Sequence, residues 1–326
     1  MIDGHSHLLL GLTGRDVAGR EAIDPQDYVS LLKPGGIRML GLVVGGDRAY
    51  ALPSSLGPWE GTLDMLDRFL TGVESVPAGM VVIRNALDLQ QLSDERIGVV
   101  LHIEGALPLF DTPLNDPTIA LRMLYRLGIR SLQLIALPDS PALDEQQRLT
   151  PIGREILNEA TRLGMVLDLS HLTGKEPAFY QAIECTSSPV VLSHHVLAED
   201  ASDDSGVSAE AALAIAATGG VIGLHAGSRA LAANQSQATI DTWLSQICRL
   251  VKLVGIDHVA IGSDWVDADK LGLPAGLFVE GIEAIEDFPV MVRALQDGGF
   301  SPSEQEAITD GNWTRVWTEA LGRTDQ

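Results

Sequence analysis

Eight histidines and a few carboxylates are the residues of this chain best suited to chemistry, and their spacing is informative. His5 and His7 stand at i and i+2 in a segment read as a strand, so both imidazoles leave one face and can bind one cation. Other such residues stand at the ends of apolar runs. Glu104 follows His102-Ile103, and His171 ends Asp168-Leu169-Ser170-His171. His194 ends Val191-Leu192-Ser193-His194, and Asp264 ends Ile261-Gly262-Ser263-Asp264. Imidazole and carboxylate donors suit zinc and similar divalent ions, and a carboxylate beside such ions can take a proton from water. Each residue alone reads equally as a hydrogen-bonded core or rim group; the conjunction points to a metal centre.

The remaining histidines divide by position. His195 follows His194, and neighbours on a strand face opposite ways; the strand phase places His194 at the mouth with Ser193 turned outward. His102 reads as a polar residue of the barrel core, and His258, at the start of its strand, as structural. His225 ends a strand and either contacts substrate or is structural.

Elements that could gather these residues recur along the chain as short apolar runs followed by segments of helical periodicity. The predicted strands are 1–10, 37–44, 97–103, 129–135, 165–170, 189–193, 220–224 and 258–262. Helices are predicted over 62–72, 117–127, 151–163, 176–185, 208–217 and 240–254. Eight strands with intervening helices predict an α/β fold, a (β/α)8 TIM-type barrel spanning 1–326 as a single domain. Its strand ends meet at one mouth. Rim insertions are expected at about 13–36 and 47–94, and helices over 282–297 and 302–321 should cover the barrel, the second broken at Asp310-Gly311-Asn312.

Bulk composition narrows the function. The 326 residues are 45% hydrophobic, enough for a sizeable core. Mean hydropathy is +0.15, and no apolar run approaches the roughly 18 residues of a membrane helix. The N-terminus lacks a basic segment before Leu8-Leu9-Leu10, so a soluble, cytoplasmic protein is expected. A net charge of −22 argues against nucleic acid or an anionic membrane as partner. Cys185 and Cys248 form no CxxC pair, leaving nitrogen and oxygen to hold any metal.

These motifs resemble the membrane (renal) dipeptidase family of the amidohydrolase superfamily. The resemblance rests on Asp3-Gly4-His5, His102-Ile103-Glu104-Gly105, Leu149-Thr150-Pro151-Ile152-Gly153, the run from Arg162 to His171, Leu192-Ser193-His194, Gly262-Ser263-Asp264 and Gly311 to Val316. It implies a binuclear zinc site in which His5 and His7 bind one ion, Glu104 bridges, and His171 with His194 binds the other. It implies hydroxide attack on a scissile amide of a small molecule, with Asp264 as catalytic acid and base, and suggests a homodimer. Three positions depart from the family pattern. His7 stands where the family has aspartate, Ala136 stands where it has a carbonyl-polarising histidine, and 196–212 lacks the carboxylate-binding arginine while carrying Glu199, Asp200, Asp203, Asp204 and Glu210. Arg229 either replaces that arginine or is a solvated surface residue. The expected activity is therefore dipeptidase-like amide hydrolysis. Its alternatives are hydrolysis of a lactone, cyclic amide or N-acyl amino acid, and a catalytically silent metal-binding homologue.

Overall fold

Apolar strands that do not alternate need cover on both faces, which a parallel sheet obtains by closing into a barrel inside helices. The computed structural model describes residues 1–8, 25–47, 56–75, 79–93, 95–199, 205–232, 238–268 and 273–322. Its strands are β1 (Ile2–Ser6), β2 (Met39–Gly46), β3 (Met80–Val82), β4 (Ile97–Glu104), β5 (Ile129–Gln133), β6 (Val166–Asp168), β7 (Val190–Leu197), β8 (Gly206–Val207), β9 (Ile222–Leu224) and β10 (Val259–Ile261). Eight of them pair in the order β1-β2-β4-β5-β6-β7-β9-β10, all parallel, as the TIM-type barrel requires. The short β3 and β8 lie off this path beside β4 and β7, and strand periodicity did not reveal them.

The ring closes just beyond the ends of β1 and β10. Asp264 N–H donates to the His5 carbonyl at 3.0 Å, and His7 N–H to the Trp265 carbonyl at 2.8 Å. Buried Asp3 pins the same seam by accepting from Ser263 N–H at 2.8 Å and from its hydroxyl at 2.5 Å. Burial pushes the Asp3 carboxyl up to about 7, and only the Ser263 and His5 donors oppose it.

The outer helices are α1 (Pro25–Leu32), α2 (Pro58–Ser75), α3 (Pro117–Leu127), α4 (Pro151–Arg162), α5 (Glu176–Ile183), α6 (Ala209–Ala217), α7 (Ile240–Val254), α8 (Pro289–Asp297) and α9 (Asn312–Gly322). Local chemistry sets several of their starts. Asp116, Thr150 and Ser208 each accept an N–H from the first turn of α3, α4 and α6. Trp243, Ile247, Leu250 and Val254 form the buried stripe of α7, spaced by four, three and four residues. Of the two expected rim insertions, 13–24 and 48–55 lie outside the described residues. The rest of them holds α1, α2, β3 and a short helix at Ala86–Gln90, and α2 packs on β2 as a barrel helix.

The expected break at 310–312 is instead a π-helical turn, Ala307–Gly311, which joins Pro302–Glu306 to α9 without interruption. The wide turn is held by Arg38, paired with Asp310, and by Asn312, which donates to the Ile256 and Val259 carbonyls at 2.8 Å. It aims Trp313 into the bottom of the barrel. There Trp313, Val316 and Trp317 pack with Ile2, Met39, Val100, Val166, Val191, Val221 and Ala260, a core distinct from the larger one between strands and helices. Gly4 is required at this contact, because a Cβ there would lie 2.0 Å from the indole. With the floor plugged, the mouth at the strand C-termini is left for chemistry. No described helix is long and apolar enough to cross a membrane.

Trp313→Ala should lower stability by about 3–5 kcal/mol in urea unfolding, the usual cost of emptying a fully buried aromatic site. A loss below roughly 1 kcal/mol would show that the floor collapses around the gap.

Candidate metal centre

Strand phase delivers most of the site. Along β4, Val99, Leu101 and Ile103 join the outer core, so Val100, His102 and Glu104 face the lumen. Along β6, Leu167 joins the outer core while Asp168 faces inward. Irregular pairing interrupts this regularity near the mouth. Register shifts between Asp3 and Ser6 in β1, and between Leu192 and His195 in β7. Such bulges re-aim side chains. Ser193 does not turn outward as expected: Val191 lies in the floor core and Leu192 in the outer core, so alternation carries Ser193 inward, and the irregularity is what re-aims His194. The Ser193 hydroxyl and the neighbouring His194 both reach the lumen, with Ser193 Oγ 3.0 Å from His5 Nδ1 and 2.9 Å from His194 Nδ1.

The predicted residues converge. His7 Nε2 is 3.1 Å from Glu104 Oε2 and 3.2 Å from Asp264 Oδ1, and His5 Nε2 is 3.6 Å from the same Asp264 oxygen. His171 Nε2 is 2.9 Å from Glu104 Oε1 and 3.3 Å from His194 Nε2, and the His5 and His194 rings lie 4.1 Å apart. His225 Nε2 is 3.2 Å from Asp264 Oδ2. His171 and Asp264 hold left-handed backbone, at φ 64° and 56°, which costs a non-glycine residue of order 1 kcal/mol or more and is tolerated where the surroundings over-determine it.

The supporting polar groups were harder to see in advance. Gln133 Nε2 donates to Asp168 Oδ2 at 2.7 Å, and Asp168 Oδ1 accepts the N–H groups of Ser170 and Ser193. Asp47 ties three strand ends together, accepting from Leu107 N–H with one oxygen and from Ala136 and Leu137 N–H with the other. Alternation marks Asp168 and Gln133 as lumen-facing once the strands are placed. Nothing local marks Asp47, because its partners lie 60 to 90 residues away.

The electrostatics call for a cation. Burial holds His5 down to about 3 and His194 well below the usual imidazole range, so both rings keep unprotonated nitrogens. Burial opposes charge on His7 too, but Glu104 and Asp264 outweigh it and raise His7 to about 10. Burial likewise pushes Glu104 and Asp264 upward, and the surrounding imidazoles reverse this, holding both well below the carboxylate range. If His5 and His194 give their Nδ1 hydrogens to Ser193, their Nε2 lone pairs point at the cluster centre. His5 Nε2 is buried there without a hydrogen-bond partner among the described residues, and the donor atoms of His5, His7 and Asp264, and of His5, Glu104 and His194, lie within 4.8 Å of one another. Lone pairs and anionic oxygens crowded in this way fit a divalent ion with nitrogen and oxygen ligands.

The profile of the membrane dipeptidase family, peptidase family M19, matches residues 57–325. The chain belongs to the membrane dipeptidase family. An uncharacterized dipeptidase of Schizosaccharomyces pombe is 28% identical over 64% of the chain and 51% of its own length. An uncharacterized protein from the pqqA 5' region of Klebsiella pneumoniae is 27% identical over 71% of the chain and 86% of its own length. The chain thus spans about half the length of the yeast relative. Among solved structures, a Rhodobacter sphaeroides metallopeptidase liganded with a phosphinate mimic of the dipeptide L-Ala-D-Ala shares the fold at TM-score 0.80 and 22% identity, covering 98% of both chains. A Pseudomonas aeruginosa amidohydrolase does so at TM-score 0.80 and 19% identity, covering 98% of this chain and 96% of its own.

In this membrane dipeptidase family member the other singled-out residues fall as follows. His195 turns to Thr173 Oγ1 at 3.0 Å, and His258 Nδ1 lies 2.8 Å from the Gly220 carbonyl at the far end of the barrel. His102 is buried beside Asp168, with 3.7 Å between Nε2 and Oδ2. Arg229 is exposed on the short helix Ser228–Leu231. Ala136 is buried, and its N–H is committed to Asp47. Of the acidic segment, Asp200, Asp203 and Asp204 lie outside the described residues, and Glu199 pairs with Arg249 of α7.

Ser193→Ala should weaken zinc binding about 10- to 100-fold in competition with a chromophoric chelator, while Ser193→Thr, which keeps the hydroxyl, should not. Equal affinities in all three proteins would show that the imidazoles hold their orientation unaided. Because Glu104 and Asp264 raise cation-free His7 to about 10, a divalent ion bound through this imidazole would displace its proton. Uptake at neutral pH should therefore acidify a weakly buffered indicator solution, and affinity should fall as pH falls.

Proposed function

We propose that this chain hydrolyses an amide bond in a small molecule, a dipeptide being the first substrate class, using one or two zinc ions. The observation that carries the proposal is the convergence of His5, His7, Glu104, His171, His194 and Asp264 at the mouth of a barrel plugged from below. His5 and His7 would hold one ion, His171 and His194 the other, with Glu104 between them. Zinc, rather than a harder ion, suits a set with four imidazoles. When bound, the metal supplies Lewis-acid polarisation of the scissile carbonyl and makes water acidic enough to ionise near neutral pH.

The protein's own part is orientation and proton transfer. Asp264 has its side chain 27% exposed, while Glu104 and His5 are almost completely covered, so Asp264 is the carboxylate that an entering substrate meets. Its Oδ1 faces His5 and His7 and can take the proton from the attacking water, then return it to the leaving nitrogen. Trp313 and its neighbours close the barrel below and limit water to the mouth side. Family membership and the dipeptide mimic bound to the Rhodobacter sphaeroides relative support amide hydrolysis over the silent-homologue reading, as does the placement of Asp264. We also read residues 1–326 as one barrel domain, since β1 and α9, from opposite ends of the chain, share a single core.

Protein purified without added metal and then reconstituted should hold one to two equivalents of zinc. It should turn over members of a panel of L,L- and L,D-dipeptides, with activity falling by at least about 10²-fold in Asp264→Asn. Turnover of lactones or N-acyl amino acids alone would replace the dipeptide assignment. No zinc uptake would end the hydrolase reading.

A further inference from the structure

His225 occupies the first position beyond β9, and the sequence leaves its task open between substrate contact and structure. Its two ring nitrogens are both engaged. Gly227 N–H donates to His225 Nδ1 at 2.6 Å, so Nδ1 is an acceptor and the ring hydrogen sits on Nε2. That Nε2 lies 3.2 Å from Asp264 Oδ2. A donor held at Oδ2 leaves Oδ1 facing His5 and His7.

The turn that presents this imidazole is itself fixed. Ser228 N–H donates to the Leu277 carbonyl at 2.8 Å, Ser228 Oγ to the Gly276 carbonyl at 2.6 Å, and Val279 N–H to the Ala226 carbonyl at 3.0 Å. Gly227 has ordinary backbone, φ −70°, yet a Cβ there would lie 2.4 Å from His225 Cε1 and 2.9 Å from Nδ1. The glycine therefore serves close approach of its amide to the ring.

We propose that His225 is a positioning residue for Asp264. Locked by Gly227 in the tautomer with hydrogen on Nε2, it holds Oδ2 and so directs Oδ1 toward the reacting atoms. With both nitrogens occupied and the residue 9% exposed, it is not a substrate-recognition group. The catalytic half of this inference rests on the proposed hydrolase activity; the tautomer and its dependence on Gly227 do not.

Two measurements separate those halves. In long-range proton–nitrogen NMR spectra of the zinc-reconstituted protein, His225, assigned by its loss in His225→Gln, should show hydrogen on Nε2, and Gly227→Ala should perturb that signal. In kinetics on whichever panel substrate the wild type turns over, His225→Phe should lower kcat by about 10²-fold, the scale of a misplaced catalytic group, with KM and zinc content within about twofold. His225→Gln, whose amide N–H can still donate, should recover most of the loss, and Gly227→Ala should fall between. Hydrogen on Nδ1 would overturn the proposal. A rise in KM at constant kcat would return His225 to substrate contact, and loss of zinc would make it a ligand; either result overturns it as well. A wild type inactive on the whole panel would defeat the hydrolase reading, while the NMR arm would still decide whether Gly227 sets the ring.

Discussion

Everything at the mouth depends on the seam where the first strand meets the last. His5 and His7 come from the start of the chain and Asp264 from near its end, and the bonds from Asp264 N–H to His5 and from His7 N–H to Trp265 set them side by side. Asp3 makes this join specific, spending both carboxylate oxygens on Ser263 in a site where burial alone would keep it protonated. Were the ring open there, His7 would lose Asp264, one of the two carboxylates that keep it protonated.

The site is a titratable cluster supported by hydrogen-bonded groups beneath it and around it. At its centre, imidazoles and carboxylates lie close enough that each shifts the proton affinity of the next, with His5 pushed down and His7 up although they are two residues apart. The difference is one of neighbours: His7 lies within 3.2 Å of two carboxylate oxygens, whereas His5 is 3.6 Å or more from its own. Beneath them, Ser193 contacts Nδ1 of two imidazoles from different strands, and Gln133 and Asp168 support it. Around the rim, Asp47 and the Gly227 turn commit backbone amides that would otherwise be free to move. A centre built this way is arranged before substrate arrives, which is where electrostatic catalysis gains most.

Two departures from the family pattern stand just beyond the ends of β1 and β5. His7 in place of aspartate removes one negative charge from the cluster, and Ala136 removes a donor from the end of β5.

How much of this was legible beforehand can be judged strand by strand. All eight barrel strands were visible as apolar runs, and α3 and α7 end where periodicity and glycine place them, because burial on both faces and capping are local demands. The six residues of the cluster were visible as well, since polar groups at the ends of apolar strands are costly unless they have work to do. What sequence could not disclose was direction after a break in the pleat. Ser193 was expected outside and lies inside because the phase of β7 is set by Val191 in the floor core, and the irregularity beyond Leu192 then turns His194 to the same side. Asp47 and Asp3 act on partners that only the folded barrel brings near, and the local turn by which Gly227 meets His225 is held by contacts from residues 276–279. The sequence by itself determined which chemical groups exist and which strand end carries each. The folded barrel decided which of their atoms face one another, because that depends on register, bulges and contacts between distant parts of the chain.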